Sequence, residues 1–155
     1  MIVSIGQWKV YADPVATGIA YQATKRGSPA DCDCLYCRNF DAIGDAAYPA
    51  AFASFADTMG IDIAKTNEIV ELGDFREGRV LYEGWFHVVG SIVEGPVPLD
   101  LTSSVGATWH HMTESFQVSL SRRRDLPFDE LAAKDLVQLN FLSNVPWVLD
   151  EPYPG

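Results

Sequence analysis

The sequence predicts an α+β fold, with a mainly antiparallel sheet of five to seven strands and one or two helices packed on it. Residues 79–94 are dominated by aromatic and β-branched side chains, which is typical of a central strand. Residues 115–121 and 136–142 alternate apolar and polar side chains, as strands with one solvated face do. The stretch after Tyr48-Pro49 instead has the apolar period of a helix.

At the N-terminus we expect two strands that form a hairpin, near residues 3–11 and 18–24. Asp13-Pro14 is the turn signal between them. Residues 25–33 are rich in turn-forming side chains, so the cysteines that follow are expected on a loop or at the entry to the next helix.

A helix is predicted from about residue 49 to residue 59. Pro49 suits its first turn and Gly60 the position just past its end. Its apolar residues recur at i, i+3, i+4 and i+7, namely Phe52, Phe55, Ala56 and Met59. Residues 68–72 are then expected to be extended.

Both faces of the strand at 79–94 are largely apolar, so it should be central or lie under a second layer. Residues 127–134, between the two alternating strands, are expected to form a short helix. Residues 151–155 combine two prolines with a terminal glycine, which predicts a frayed tail.

Length and composition indicate a single globular domain over residues 1–155, with 48% hydrophobic and 21% charged residues. The formal net charge of −10 disfavours nucleic-acid binding, which depends on basic residues. Residues 61–121 hold 9 acidic and 3 basic residues, and therefore most of the imbalance. This surface is either a docking face for a basic protein partner or simply a solvated exterior.

The cysteines and the N-terminus both bear on the cellular compartment. Three cysteines, an odd number within six residues, argue against a disulfide framework. The first residues lack the pattern of a signal peptide, and no apolar stretch approaches the roughly 18 residues that cross a bilayer. We therefore expect a cytoplasmic protein that does not enter a membrane.

The cluster Cys32, Cys34 and Cys37 is the strongest chemical signal. The C-x2-C spacing of Cys34 and Cys37 lets two sulfurs reach one zinc ion, with Cys32 and His87 as the further candidate ligands. The second cysteine pair of a classical zinc site is absent from the sequence. Two alternatives stay open, a thioredoxin-like redox pair and three reduced thiols in a structural loop.

His87 lies in the long predicted strand. It is either a functional residue or a neutral core histidine that is hydrogen-bonded to one neighbour. His110 and His111 are expected at the surface. The sequence contains no nucleophile elbow, P-loop or dinucleotide-binding glycine motif, so no reaction can be named and a non-enzymatic protein is favoured.

Several segments resemble an uncharacterised family of small bacterial proteins: the C-x-x-C-R-N-F segment ending at Phe40, Tyr48-Pro49, residues 60–62, and the strand with Y-x-G-W-F-H-x-V-G. The resemblance covers residues 18–95. It implies a bacterial cytoplasmic source and emphasises these positions: Cys34, Cys37, Asn39, Trp85 and His87.

Three functional hypotheses follow from the sequence. The first is a non-enzymatic immunity or adaptor protein that binds another macromolecule through its acidic surface. The second is a structural zinc-binding domain built on the cysteine cluster and His87. The third is a small-molecule binder or enzyme with a pocket lined by the cysteine loop and by Tyr82, Trp85, His87 and Asn39.

Overall fold

A computed structural model describes residues 1–97 and 108–155 of the chain. Over these ranges the strands are β1 Ile2–Ile5, β2 Trp8–Ala12, β3 Glu68–Arg76, β4 Arg79–Glu94, β5 His110–Thr113, β6 Phe116–Ser121 and β7 Leu136–Pro146. The helices are α1 Pro14–Ala23, α2 Ser28–Asp31, α3 Leu35–Ile43 and α4 Ala50–Thr58, with a 3-10 turn at Gly44–Ala47. The predicted α+β class is confirmed.

The strands form one antiparallel sheet in the order β1-β2-β4-β7-β6-β5, and β3 pairs with the first half of β4. The sheet curves until its two ends approach each other. Gly6, in the turn between β1 and β2, has a φ of 52°, and a Cβ atom there would lie 2.7 Å from Cγ of His110 in β5. Both the backbone angle and the close approach therefore favour glycine.

Strand β4 lies at the centre and pairs with β7 along one edge. Its other edge pairs with β3 in the first half and with β2 in the last, which leaves a gap between them. Two side chains of α1 fill the gap. Thr17 Oγ1 accepts a hydrogen bond from Val89 N at 3.0 Å, while the Tyr21 hydroxyl accepts from His87 N at 3.2 Å and donates to His87 O at 3.0 Å.

The main core lies between one face of β4 and the helices that follow the cysteines. Phe40 of α3 contacts Tyr82, with ring centroids 5.2 Å apart. Tyr48 and Phe52 pack on Phe86 at 5.7 and 6.0 Å. These side chains are almost completely buried, so the prediction that β4 lies beneath a second layer is confirmed.

The predicted N-terminal hairpin is wrong in its second half. Residues 18–24 belong largely to α1, not to a strand. Asp13 caps this helix by accepting a hydrogen bond from Ala16 N at 2.9 Å, and Pro14 occupies its first turn. The hairpin that does form is β1-β2, because a two-residue turn after Ile5 divides the predicted first strand.

The central elements agree better with prediction. Helix α4 confirms the helix predicted at 49–59, and β3, β4, β6 and β7 lie where extended segments were expected. Residues 127–134 form no helix. They make successive turns, with hydrogen bonds from Leu131 N to Phe128 O and from Lys134 N to Leu131 O.

The tail at 151–155 packs on the fold, although the sequence predicts fraying. Tyr153 stacks on Phe75 of β3 with ring centroids 4.3 Å apart, and its hydroxyl donates to Glu71 at 2.7 Å. In the described ranges no helix has the length and apolar character needed to cross a bilayer.

Candidate metal centre

The three cysteines lie where α2 ends and α3 begins. Cys32 follows the last residue of α2, and Cys34 is the N-cap of α3. Cys34 Sγ accepts a hydrogen bond from the backbone N–H of Cys37 at 3.4 Å, so a sulfur takes the place that a serine or aspartate oxygen usually has at a helix start. This confirms the expectation of cysteines at a helix entry.

The sulfur atoms of Cys32, Cys34 and Cys37 all lie within 4.8 Å of one another. Tetrahedral zinc with Zn–S bonds of about 2.3 Å needs sulfurs about 3.8 Å apart. Small side-chain rotations therefore suffice for three bonds to one ion. Among the described residues, no histidine or carboxylate joins these three sulfurs in the same group.

The cluster combines exposed and buried sulfurs. Cys34 is exposed and Cys37 is buried. Burial raises the pKa of Cys37, and its hydrogen bonds with Cys32 and Cys34 raise that pKa further. At Cys34, desolvation also raises the pKa, but the Cys37 N–H and the two neighbouring thiols outweigh this effect and hold the pKa below its ordinary value. The two ends of the C-x2-C pair are thus chemically unequal.

Asn39 and Tyr82 hold α3 in place. Asn39 Oδ1 accepts from Val148 N at 2.7 Å, and its Nδ2 donates to Pro146 O at 3.2 Å. The Tyr82 hydroxyl donates to Tyr36 O at 2.7 Å, within the first turn of α3. Both side chains are buried, so the structure gives them a positioning role for the cysteine helix.

His87 does not join the cysteines. It is completely buried, with Nδ1 2.8 Å from Asn67 Oδ1 and Nε2 3.0 Å from Gln138 Oε1. Gln138 Nε2 in turn donates to Asp125 Oδ2 at 2.9 Å. Because both ring nitrogens are engaged away from the sulfurs, the prediction of His87 as the fourth metal ligand is corrected to a core histidine.

The predicted pocket around Tyr82, Trp85, His87 and Asn39 is not assembled. Successive side chains of a strand point to opposite faces of the sheet. Tyr82 therefore faces the helices, whereas Trp85 and His87 lie on the opposite face of β4. Trp85 Nε1 donates to Asp125 O at 2.9 Å. A cavity of about 120 Å³ does open beside α3, but its lining includes Phe40 and none of the four predicted residues.

Gln138 and Asn67 are the buried polar partners that the sequence interpretation missed. Gln138 was expected on the solvated face of its strand, yet this residue and Ser119 of β6 are buried. Residues 122–135 cover that face, since Trp85 and Gln138 both bond to Asp125. The sequence carries no signal for the contact of Gln138 with His87, because it depends on the pairing of β4 with β7.

Of the other histidines, His111 is exposed and His110 is half-buried, in line with the surface position predicted for both. Comparison of the chain with models of protein families, with curated proteins and with solved structures finds no match.

Proposed function

We propose that this protein binds a thiophilic metal ion, with Zn²⁺ as the first choice, through Cys32, Cys34 and Cys37. The observation that carries the proposal is the convergence of three sulfur atoms within 4.8 Å. Thiolates select soft or borderline ions such as Zn²⁺ and Cu⁺ over Mg²⁺ and Ca²⁺. The lowered pKa of Cys34 favours the anionic form that binds metal.

The electrostatic surroundings support a cation. Residues 28–47 contain four aspartates and a single basic residue, Arg38. That arginine is paired with Glu151 at 3.0 Å and so is already neutralised by a carboxylate. Asp31 is likewise paired with Arg26 at 3.3 Å, so the other three aspartates supply the negative charge that raises the concentration of cations near the cluster.

Three protein ligands leave one position of a tetrahedral ion open. Closed structural zinc sites use four protein ligands, whereas sites with three keep a position for water or an incoming donor. Because Cys34 is exposed, this position would lie at the surface. The proposed function is therefore reversible metal binding, with a fourth ligand supplied by solvent or by another molecule.

Metal titration of the reduced protein tests this proposal. We expect one Zn²⁺ per chain in competition with a chromophoric chelator, and a sulfur-to-metal charge-transfer band with Co²⁺. Substitution of Cys32, Cys34 or Cys37 by serine should weaken binding by at least about 100-fold, since a direct ligand matters more than its supporting partners. Asp33→Asn is the matched control and should retain most of the affinity.

The proposal fails under either of two results. The first is less than about 0.1 equivalent of metal bound at micromolar protein, because zinc sites with several thiolates bind tightly. The second is unchanged affinity after all three cysteines are replaced. Circular dichroism of each variant separates loss of a ligand from loss of the fold.

A second candidate function is binding of a basic protein partner, as an immunity or adaptor protein would do. The observation that favours it is the charge: the sequence has 21 acidic residues and a net charge of −10. In the ranges that the structure describes, ion pairs engage six carboxylates, which leaves many free to attract a cationic surface.

A further inference from the structure

We propose that Cys34 and Cys37 form a reversible disulfide when a hydroperoxide oxidises the metal-free cluster. Cys34 and Cys37 differ in their access to solvent, and their spacing along the chain suits a disulfide. The step does not require that the metal proposal be correct.

Cys34 is the point of attack. Its side chain is exposed, so a peroxide in solution reaches its sulfur directly, but Cys32 is exposed as well and exposure alone does not distinguish the two. Its Sγ also accepts the backbone N–H of Cys37 at 3.4 Å, and a backbone donor at a helix N-terminus stabilises the sulfur anion that attacks an O–O bond. Cys37 is 8% exposed, which shields it from the same encounter.

Cys37 is the partner best placed to react next. Residues three apart on a helix have Cα atoms about 5 Å apart, within the range of about 4.4–6.8 Å that disulfides occupy. The Cys37 backbone N–H, which donates to Cys34 Sγ at 3.4 Å, keeps these two residues in contact at the start of α3. Cys32 lies outside this helix, after the end of α2. The geometry therefore favours the Cys34–Cys37 bond over Cys32–Cys34.

The reaction has two balanced steps. The sulfur of Cys34 attacks the terminal oxygen of the hydroperoxide, the O–O bond breaks, and Cys34 sulfenic acid and an alcohol (water from hydrogen peroxide) form. The sulfur of Cys37 then attacks the Cys34 sulfur, the S–O bond breaks, and water leaves with the Cys37 thiol proton. The two thiols lose two electrons, the peroxide gains them, and an external thiol reverses the bond.

Oxidation would also control the proposed metal site. A disulfide removes two of the three ligands, so Cys32 alone would hold the ion and the ion would leave. This consequence, unlike the disulfide itself, rests on the proposed function.

The experiment uses the full chain, reduced and then freed of metal by a chelator, with one equivalent of hydrogen peroxide. Intact mass should fall by two hydrogens, and a non-reducing peptide map should join Cys34 to Cys37. Cys32→Ser should form the same bond. Cys37→Ser should stop at a sulfenic acid on Cys34, captured by dimedone, and Cys34→Ser should form no disulfide under these conditions.

A peptide map of the wild-type chain that joins Cys32 to either partner would overturn the assignment, as would dimedone capture mainly at Cys32 in Cys37→Ser. The wild-type map needs no variant, so a folding defect in a variant does not hide the answer. Metal binding by reduced protein is a separate measurement: disulfide formation without metal binding would refute only the proposed function. Metal binding with no disulfide would refute only this inference.

Discussion

At the scale of single residues, His87 shows how burial determines the role of a reactive side chain. Its imidazole is completely enclosed, with Asn67 and Gln138 at its two nitrogens. Desolvation lowers the pKa of His87 to about 4, and the contact with Gln138 opposes this shift only in part. Burial therefore disfavours protonation of the ring in the folded state. A neutral ring carries a single N–H, so it donates to only one of the two amide oxygens.

This burial predicts a pH dependence of stability. An unfolded histidine has a pKa of about 6.5, so between about pH 6.5 and pH 4 the unfolded chain binds a proton that the native chain does not. The stabilising contribution is present above pH 6.5 and is lost as the pH falls. Between pH 7 and pH 4.5, we expect the free energy of unfolding to fall by about 2 to 3 kcal/mol more in the wild type than in His87→Gln.

Urea unfolding at several pH values measures the difference, with His111→Gln as the exposed control. Burial raises the pKa of Glu83, so protonation of this carboxyl stabilises the native chain as the pH falls and opposes the effect of His87. The comparison of wild type with His87→Gln removes this contribution, because both proteins contain Glu83. Equal pH slopes for wild type and His87→Gln would show that the ring does not titrate as its burial requires.

The residue scale also shows what the sequence could predict. The grouping of Cys32, Cys34 and Cys37 followed from short spacing alone, because neighbours in sequence remain neighbours in space. The contact of His87 with Gln138 joins residues 51 apart and depends on the pairing of β4 with β7. Spacing along the chain contains no information on that register, so the fourth ligand was assigned wrongly.

At the scale of elements, α1 completes the hydrogen bonding of β4. A central strand needs partners on both edges, since an unpaired buried N–H or C=O costs about 1–3 kcal/mol. Between β3 and β2 the edge is served by Tyr21 and Thr17. The helix therefore substitutes for a strand over these residues.

Removal of the Tyr21 hydroxyl tests this role. Tyr21→Phe keeps the ring but leaves both His87 N and His87 O without their partner. We expect the free energy of unfolding to fall by about 1–3 kcal/mol. Tyr11→Phe, at a position 52% exposed, should change it by less than about 0.5 kcal/mol. Similar small losses in both variants would show that water or a shifted backbone replaces the hydroxyl.

Helix α1 was also the main error of sequence interpretation at this scale. Asp13-Pro14 signals a turn and the start of a helix equally well, and the apolar side chains that follow were assigned to a strand. The buried residues Thr17, Ala20 and Tyr21 have the helical spacing i, i+3 and i+4. By contrast, β4 and α4 were predicted almost to their ends, because their apolar patterns are longer and less ambiguous.

At the scale of the whole molecule, the charge is unevenly distributed. Residues 61–121 combine 9 acidic with 3 basic residues, and exposed Glu77 and Glu114 are among the acidic ones. The described ion pairs use six of the eleven basic residues of the chain. A large net negative field remains to steer a basic protein towards this region.

A partner recruited by this field should bind in a salt-sensitive way. We expect a basic protein to be retained from a cell lysate by the immobilised chain at low salt and released at about 0.5 M salt, where the Debye length falls to about 4 Å. Glu77→Gln with Glu114→Gln should weaken the isolated complex, mainly by slowing association. The control is Asp129→Asn with Asp150→Asn, which makes the same change in net charge outside residues 61–121. If the two double variants weaken the complex equally, the partner responds to the total charge of the chain and not to this region. The absence of any salt-sensitive basic partner would contradict the adaptor hypothesis and leave the cysteine cluster as the better guide to function.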